Sequence, residues 1–248
     1  MRYLVISDIH ANLEALEAVI GAMAPRGVDR FLVLGDLVGY GADPNAVVDR
    51  VRALDPLLII RGNHDKVASG IEDGESFNLV ARSAVQWTND ALTPDNLKYL
   101  QALPAGPLVV DEMLEICHGS PFDEDAYIFD ELDALKAFEV ATRPLCLFGH
   151  THVAVAFRRL PDRLEIPAGP GDTDNVRLSF GDGARYLVNV GSVGQPRDND
   201  PRAAAGIVDT TAGEIELYRV RYPVEEAQRK IRAAGLPEVL ARRLALGR

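Results

Sequence analysis

Apolar residues recur along this chain in two alternating rhythms. Tyr3 to Ile6 is a short unbroken apolar run. Polar residues follow, and Leu13, Leu16, Val19, Ile20 and Met23 then fall at the spacing of one helix face. The unit repeats. Phe31 to Leu34 is a second run, and after a Gly-rich loop Asp43-Pro44 opens a segment carrying Val47, Val48, Val51 and Leu54. Asp suits a helix N-cap, and Pro suits the first helical position, where its missing N–H has no partner to lose. Leu57 to Ile60 is the third run. Short strands that are apolar on both faces and joined by helices predict a parallel sheet covered on both sides.

Past residue 105 the rhythm changes. Met113–Cys117, Leu145–Phe148, Val153–Phe157, Arg185–Val190, Ala203–Val208 and Ile215–Val220 read as strands, with one clear helix among them near 131–139. This predicts a second, more antiparallel sheet. Between the halves, residues 66–105 hold two helices: one from Ser76 with Phe77, Val80, Ala84, Trp87 and Ala91, the other from Thr93-Pro94 with Leu97, Leu100 and Leu103. Residues 161–182, rich in Pro, Gly and Asp, read as a loop or irregular hairpin, and 221–248 as C-terminal helices. Neither insertion has linker composition, so residues 1–248 are expected to form one domain with a cap-like helical insertion at 66–105.

Charge narrows the partners. Against 26 Lys and Arg stand 37 Asp and Glu, for a formal net charge of −11. A field of that sign counts against polymeric nucleic acid and anionic membranes. The two cysteines, Cys117 and Cys146, lie in apolar strand-like runs; this excludes a disulfide scaffold and makes a reducing cytoplasm the expected setting. The N-terminal run meets Asp8 and His10 at once and lacks a signal-peptide core.

All five histidines follow predicted strands: Ser7-Asp8-Ile9-His10, Gly62-Asn63-His64-Asp65, Cys117-His118-Gly119 and Gly149-His150-Thr151-His152. Gly35-Asp36 ends the second strand in the same way. Open α/β sheets bind ligands at the carboxyl ends of their strands, so these residues are expected to meet in one crevice. Asp8, His10, Asp36, Asn63, His118, His150 and His152 are too many ligands for one catalytic metal and suit two. We expect Asp36 to bridge, with Asp8, His10 and His152 on one ion and Asn63, His118 and His150 on the other. Mixed imidazole and carboxylate donors favour divalent Mn, Fe, Zn or Ni. Two such ions can lower the pKa of a bridging water and clamp the oxygens of an in-line displacement at phosphorus. His64 is surplus to the ligand set and suits a general acid or transition-state stabiliser, with Asp65 to orient its ring.

These five motifs, in this order, resemble those of the calcineurin-like metallophosphoesterase superfamily, from residue 3 to about 210. Asp8-Ile9-His10-Ala11-Asn12, Gly35-Asp36-Leu37-Val38-Gly39-Tyr40-Gly41 and Asn189-Val190-Gly191-Ser192-Val193-Gly194-Gln195-Pro196-Arg197-Asp198 are similar to a bacterial and archaeal phosphodiesterase branch that includes diadenosine tetraphosphate hydrolases. Ala11 departs from the Gly common there. The resemblance implies a four-layer α/β/β/α sandwich of two mixed sheets, and a dinuclear metal hydrolase acting on a small phosphate ester such as a nucleotide through a metal-bridging hydroxide. A phosphomonoesterase or protein phosphatase is the alternative within the family; a non-catalytic protein-binding scaffold is the alternative outside enzymes.

Plainer roles compete at several positions. Asn12 serves either substrate phosphate or the first helix as N-cap. Arg197 either forks onto a phosphate or pairs with Asp198 or Asp200. Tyr40 and Trp87 could stack on a base, although Trp87 lies on an apolar helical stripe. Cys117 fits a buried strand better than a nucleophile. Ser192 has no histidine left to serve it. The 66–105 segment leaves directly from His64 and is expected to wall the site, facing Tyr40 and Arg197.

Overall fold

Side chains that alternate between two faces build the frame. The computed structural model describes residues 1–168, 175–181 and 183–248. Its strands are β1 (Arg2–Ile6), β2 (Arg30–Val33), β3 (Leu58–Ile59), β4 (Leu108–Val109), β5 (Leu114–Ile116), β6 (Leu145–Phe148), β7 (Val155–Arg159), β8 (Leu164–Ala168), β9 (Asn175–Ser179), β10 (Arg185–Asn189), β11 (Ala203–Asp209) and β12 (Glu214–Val220). The helices are α1 (Leu13–Met23), α2 (Pro44–Ala53), α3 (Asn63–Ala68), α4 (Leu79–Ala91), α5 (Pro94–Gln101), α6 (Glu131–Val140), α7 (Val224–Ala233) and α8 (Glu238–Leu246).

Two six-stranded sheets result, ordered β3-β2-β1-β11-β12-β9 and β4-β5-β6-β10-β7-β8. Both are mixed: β1, β2 and β3 run parallel in the first, as do β5, β6 and β10 in the second, and the remaining pairs are antiparallel. Alternate residues of one strand enter different cores, because a strand's side chains point to opposite faces. Tyr3 and Val5 meet Leu114, Leu147 and Val188 between the sheets. Leu4 and Ile6 point outward, onto α1, α2 and the C-terminal helices. Cys117, Cys146 and Phe148 point outward from the second sheet, onto α6. Helix, sheet, sheet, helix is therefore the layering, as expected.

Some expectations change. β11 and β12 join the first sheet, not the second: β1 offers them its free edge, and Tyr3 pairs antiparallel with Val208. Residues 161–182 are no mere loop, for β8 extends the second sheet beside β7 and β9 the first beside β12. Residues 169–174 and 182, also in that range, lie outside those described. The helix α3 was not anticipated, because its residues read as a polar motif. No helix among the described residues is long and apolar enough to cross a membrane.

Candidate metal centre

The parallel strands of both sheets end at one rim, and the rim is where the polar motifs gather. The chain turns there through left-handed backbone at non-glycine residues: φ is 52° at Asp8, 49° at His10, 52° at Asp36, 67° at His150 and 60° at His152. Such backbone costs about 1–2 kcal/mol per residue and persists only where the surroundings dictate it. Hydrogen bonds between motifs provide that constraint. Asp8 N donates to the Gly35 carbonyl (3.1 Å), His10 N to the Asp36 carbonyl (3.0 Å) and Gly149 N to the His118 carbonyl (2.8 Å). Gly62 is required for closeness, since a Cβ there would collide with the Asp36 carboxylate.

Four buried residues, Asp8, His10, Asp36 and His152, bring ligand atoms within 4.8 Å of one another; Asp36, His118 and His150 do the same. Asp36 is common to both groups. Its Oδ1 accepts from His64 N at 2.8 Å, while Oδ2 is buried with no hydrogen-bond partner. That orphaned oxygen lies 3.5 Å from His10 Nε2 and 3.5 Å from His118 Nε2. Backbone carbonyls set the ring tautomers. Nδ1–H donates to Val38 O in His10 (3.0 Å), to Leu34 O in His118 (2.7 Å) and to Gln195 O in His152 (2.6 Å). In its neutral, ligating form each ring then turns an Nε2 lone pair inward. The Nε2 atoms of His10 and His152 stand 3.1 Å apart, and His118 Nε2 stands 3.3 Å from Asn63 Oδ1. The lone pairs of His10 and His152, aimed at one another at that distance, repel unless a cation lies between them. In His150 it is Nε2–H that donates, to Asp125 O at 3.0 Å, which leaves Nδ1 for the site. The donors therefore fit transition-metal ions, with the outer hydrogen bonds that metal-ligating histidines use.

The electrostatics agree. Burial drives His10 and His152 well below the ordinary histidine range and His150 to about 3, holding all three in the neutral, ligating form. Burial opposes charge on Asp36 as well, yet His118 and His64 outweigh it and keep the carboxyl well below its usual value. Burial also opposes a charged His118, but Asp36 and Asp8 overcome it and raise that ring to about 10. Burial pushes Asp8 up to about 6. The carboxylates thus call for positive charge at the point where the lone pairs converge.

Beside the cluster opens a crevice lined by Asp36, Asn63, His64, Tyr40, Phe77, Tyr127 and Arg197 among others. His64 lies at its base, its ring against Tyr40 (4.3 Å) and Phe77 (4.6 Å), with Nδ1 buried and unpartnered. The bare Gly39 makes room for that ring. Asp65 does not orient it. Its carboxylate instead accepts from the amides of Leu37 (2.9 Å), Val38 (3.2 Å) and Gly62 (3.0 Å), a positioning duty that ties two motif loops together. Asn12 is likewise committed: Oδ1 caps α1 by accepting from Ala15 N (3.1 Å), and Nδ2 donates to Gly194 O (2.9 Å). The cap explains this residue, and its amide keeps one N–H and one lone pair beyond these two bonds.

Arg197 forms neither of the expected salt bridges. Asp198 pairs with Arg219 and Asp200 with Arg202, so the Arg197 guanidinium reaches the crevice, its Nε buried without a partner. Cys117 and Cys146 are buried thiols in the outer core of the second sheet. Ser192 accepts from Gln195 N and donates to Asp8 O, shaping a turn. Trp87 packs with the core. Of the 66–105 segment, only Ser76, Phe77, Asn78 and Ala81 line the crevice; Ala84, Val85 and Leu100 are buried in the core. Two contributors escaped the sequence reading. Tyr127 sits in an acidic loop with no periodicity to mark it. Lys66 is buried and bonded to Glu72 (2.8 Å), Glu124 (3.2 Å) and Asp125 (2.6 Å), fastening the helix of His64 to the loop that orients His150.

A family model described as the calcineurin-like phosphoesterase superfamily domain matches residues 1–213. The Methanocaldococcus jannaschii protein MJ0912 is 37% identical over 257 residues, spanning 98% of this chain and 97% of that one. Among solved structures, a metallophosphoesterase from Sphaerobacter thermophilus superposes with a TM-score of 0.88 at 40% identity, covering 100% of both chains. The protein PH1004 from Pyrococcus horikoshii shares the fold at a TM-score of 0.80 and 19% identity, over 100% of this chain and 98% of that one.

Proposed function

This chain belongs to the calcineurin-like phosphoesterase superfamily, as a metal-dependent phosphoester hydrolase, and on that premise we propose that it cleaves small phosphodiesters at a dinuclear transition-metal centre. The observation that carries the proposal is Asp36 Oδ2, a buried carboxylate oxygen without a partner that is shared by two groups of ligand atoms. Asp8, His10, Asp36 and His152 would hold one ion; Asp36, Asn63, His118 and His150 would hold the other. Their imidazole and carboxylate donors suit Mn, Fe, Ni or Zn. When bound, the ions supply Lewis acidity that activates water and neutralises charge on the phosphoryl oxygens.

The protein's own groups do the rest. The carbonyls of Val38, Leu34, Gln195 and Asp125 fix the ring tautomers, so no rearrangement is needed when substrate arrives. Burial lowers the pKa of His64 to about 4, and its ring makes no side-chain hydrogen bond; it has an N–H free to donate to the departing oxygen. Arg197 can receive a non-bridging phosphate oxygen. The crevice extends past the ligands between Phe77 and Tyr127, which leaves space for a second ester arm and favours a diester. A reducing cytoplasm suits the two free thiols.

The test is hydrolysis of bis(p-nitrophenyl) phosphate and p-nitrophenyl phosphate before and after chelation. We expect chelation to abolish turnover, Mn to restore it, and the diester to be the faster substrate. Undiminished activity in metal-stripped protein would overturn the metal centre, and a faster monoester would reassign the enzyme as a phosphomonoesterase.

A further inference from the structure

Aromatic rings continue the metal centre outward. His150 stacks on Tyr127 with centroids 3.9 Å apart and planes at 18°, and Tyr127 stacks on Phe129 at 4.8 Å and 11°. The three rings form a nearly parallel column. Its inner member offers a ligand nitrogen to the cluster; its outer member, Phe129, is 66% exposed, and Tyr127 is 41% exposed. Two such rings at the mouth of a polar site present apolar surface that an occupant can cover. Their placement is firm. Phe129 N donates to Asp133 Oδ2 at 3.1 Å, and the adjoining Asp130 caps α6.

The same Tyr127 lines the crevice with Arg197. The Arg197 guanidinium is spared by the neighbouring acids, which have arginines of their own. A cationic fork for phosphate beside a flat, exposed ring column matches one chemistry, a phosphate ester carrying a planar heterocycle. We propose that the column ending at Phe129 forms a stacking platform for a nucleobase, which makes the substrates nucleoside phosphodiesters; His150 and Phe129 cover the two faces of Tyr127, so the base stacks on the outer face of Phe129. The inference deepens the phosphodiesterase reading and rests on it for the position of the scissile phosphate. Stacking accepts any base, because every base presents a π-face; the platform should therefore separate nucleotides from base-free phosphates rather than one base from another.

Calorimetric titration of the protein as purified, with AMP and with ribose 5-phosphate, tests the platform without reference to turnover. The two ligands carry the same 5-phosphate and differ only in the base. Wild type should bind AMP about 10-fold more tightly, within the range of one base–aromatic stack. Phe129→Ala should bring the two ligands to within about 2-fold of each other, and Phe129→Trp should keep the preference for AMP. Equal binding by wild type, or a preference that survives Phe129→Ala, overturns the proposal. So does a self-associating protein that Phe129→Ala turns monomeric with its base preference intact, since the patch would then belong to a second copy. Base preference without hydrolysis of any diester would refute the phosphodiesterase reading and leave the platform standing; diester hydrolysis without base preference would do the reverse.

Discussion

Asp36 carries more of the site than any other single residue. One oxygen anchors the helix of His64 through its backbone amide, and the other lies equally far from a histidine of each ligand group. A variant that keeps its shape but not its charge separates those duties. Asp36→Asn should retain the amide contact yet lower occupancy at both positions, whereas His152→Ala should empty chiefly the position built with Asp8 and His10. Elemental analysis of the purified variants measures this, and a normal metal content in Asp36→Asn would remove the bridge. At this scale the ligand candidates were legible in the sequence because metal chemistry restricts residue type: only a few side chains donate to such ions, and five motifs supplied them in order. Asp65 and Asn12 stayed ambiguous for the converse reason. A carboxylate or amide suits a substrate, a histidine or a backbone amide equally well, and only the fold decides which lies within reach.

At the scale of elements, α3 is six residues long and would not persist alone, as isolated helices of that length are marginal. Tertiary contacts hold it. Asp65 binds the amide of Gly62 before the helix and those of Leu37 and Val38 across the crevice, and Lys66 gathers three carboxylates from its other side. Asp65→Ala would leave three buried amides unpaired and should cost about 3 kcal/mol in a denaturant melt, with metal affinity falling as the loops part. A melt that superposes on wild type would show those bonds to be incidental. The helices α4 and α5 were legible from their apolar spacing. Whether they pack on each other or on the main core was not, because the stripe that marks a helix is silent on its partner. Here it packs on the core, so excising 66–105 is expected to unfold the protein rather than alter its specificity.

For the whole molecule, the C-terminal hairpin is the open question, since residues 214–248 lie beyond the family match. Ala227, Ile231, Leu240, Ala241 and Leu244 are buried in the same core as α1, and Lys230 Nζ reaches Glu14 (2.5 Å) and Asp43 (2.7 Å). A chain ending at residue 220 would expose that core behind the loops of His10 and Tyr40. Scanning calorimetry should give the full chain a single transition, as one domain requires, and give the shortened chain none that is cooperative. A cooperative melt of the shortened chain at the wild-type temperature would make the hairpin an appendage.

Local rules, by themselves, determined most of the strands and helices and the residue types offered as metal donors; the four-layer class followed from the resemblance of the motifs to a known family. The local rules depend on short-range spacing or on the intrinsic chemistry of a side chain, and both are written along the chain. Sheet membership was decided only in three dimensions. Strands β11 and β12 are apolar enough to suit either sheet, and the free edge of β1, some 200 residues away in sequence, settled it. The ring tautomers, the orphaned oxygen of Asp36 and the column from His150 to Phe129 belong to the tertiary structure too. They depend on which carbonyl or ring stands a few ångströms away, and residues distant in sequence supply most of those neighbours.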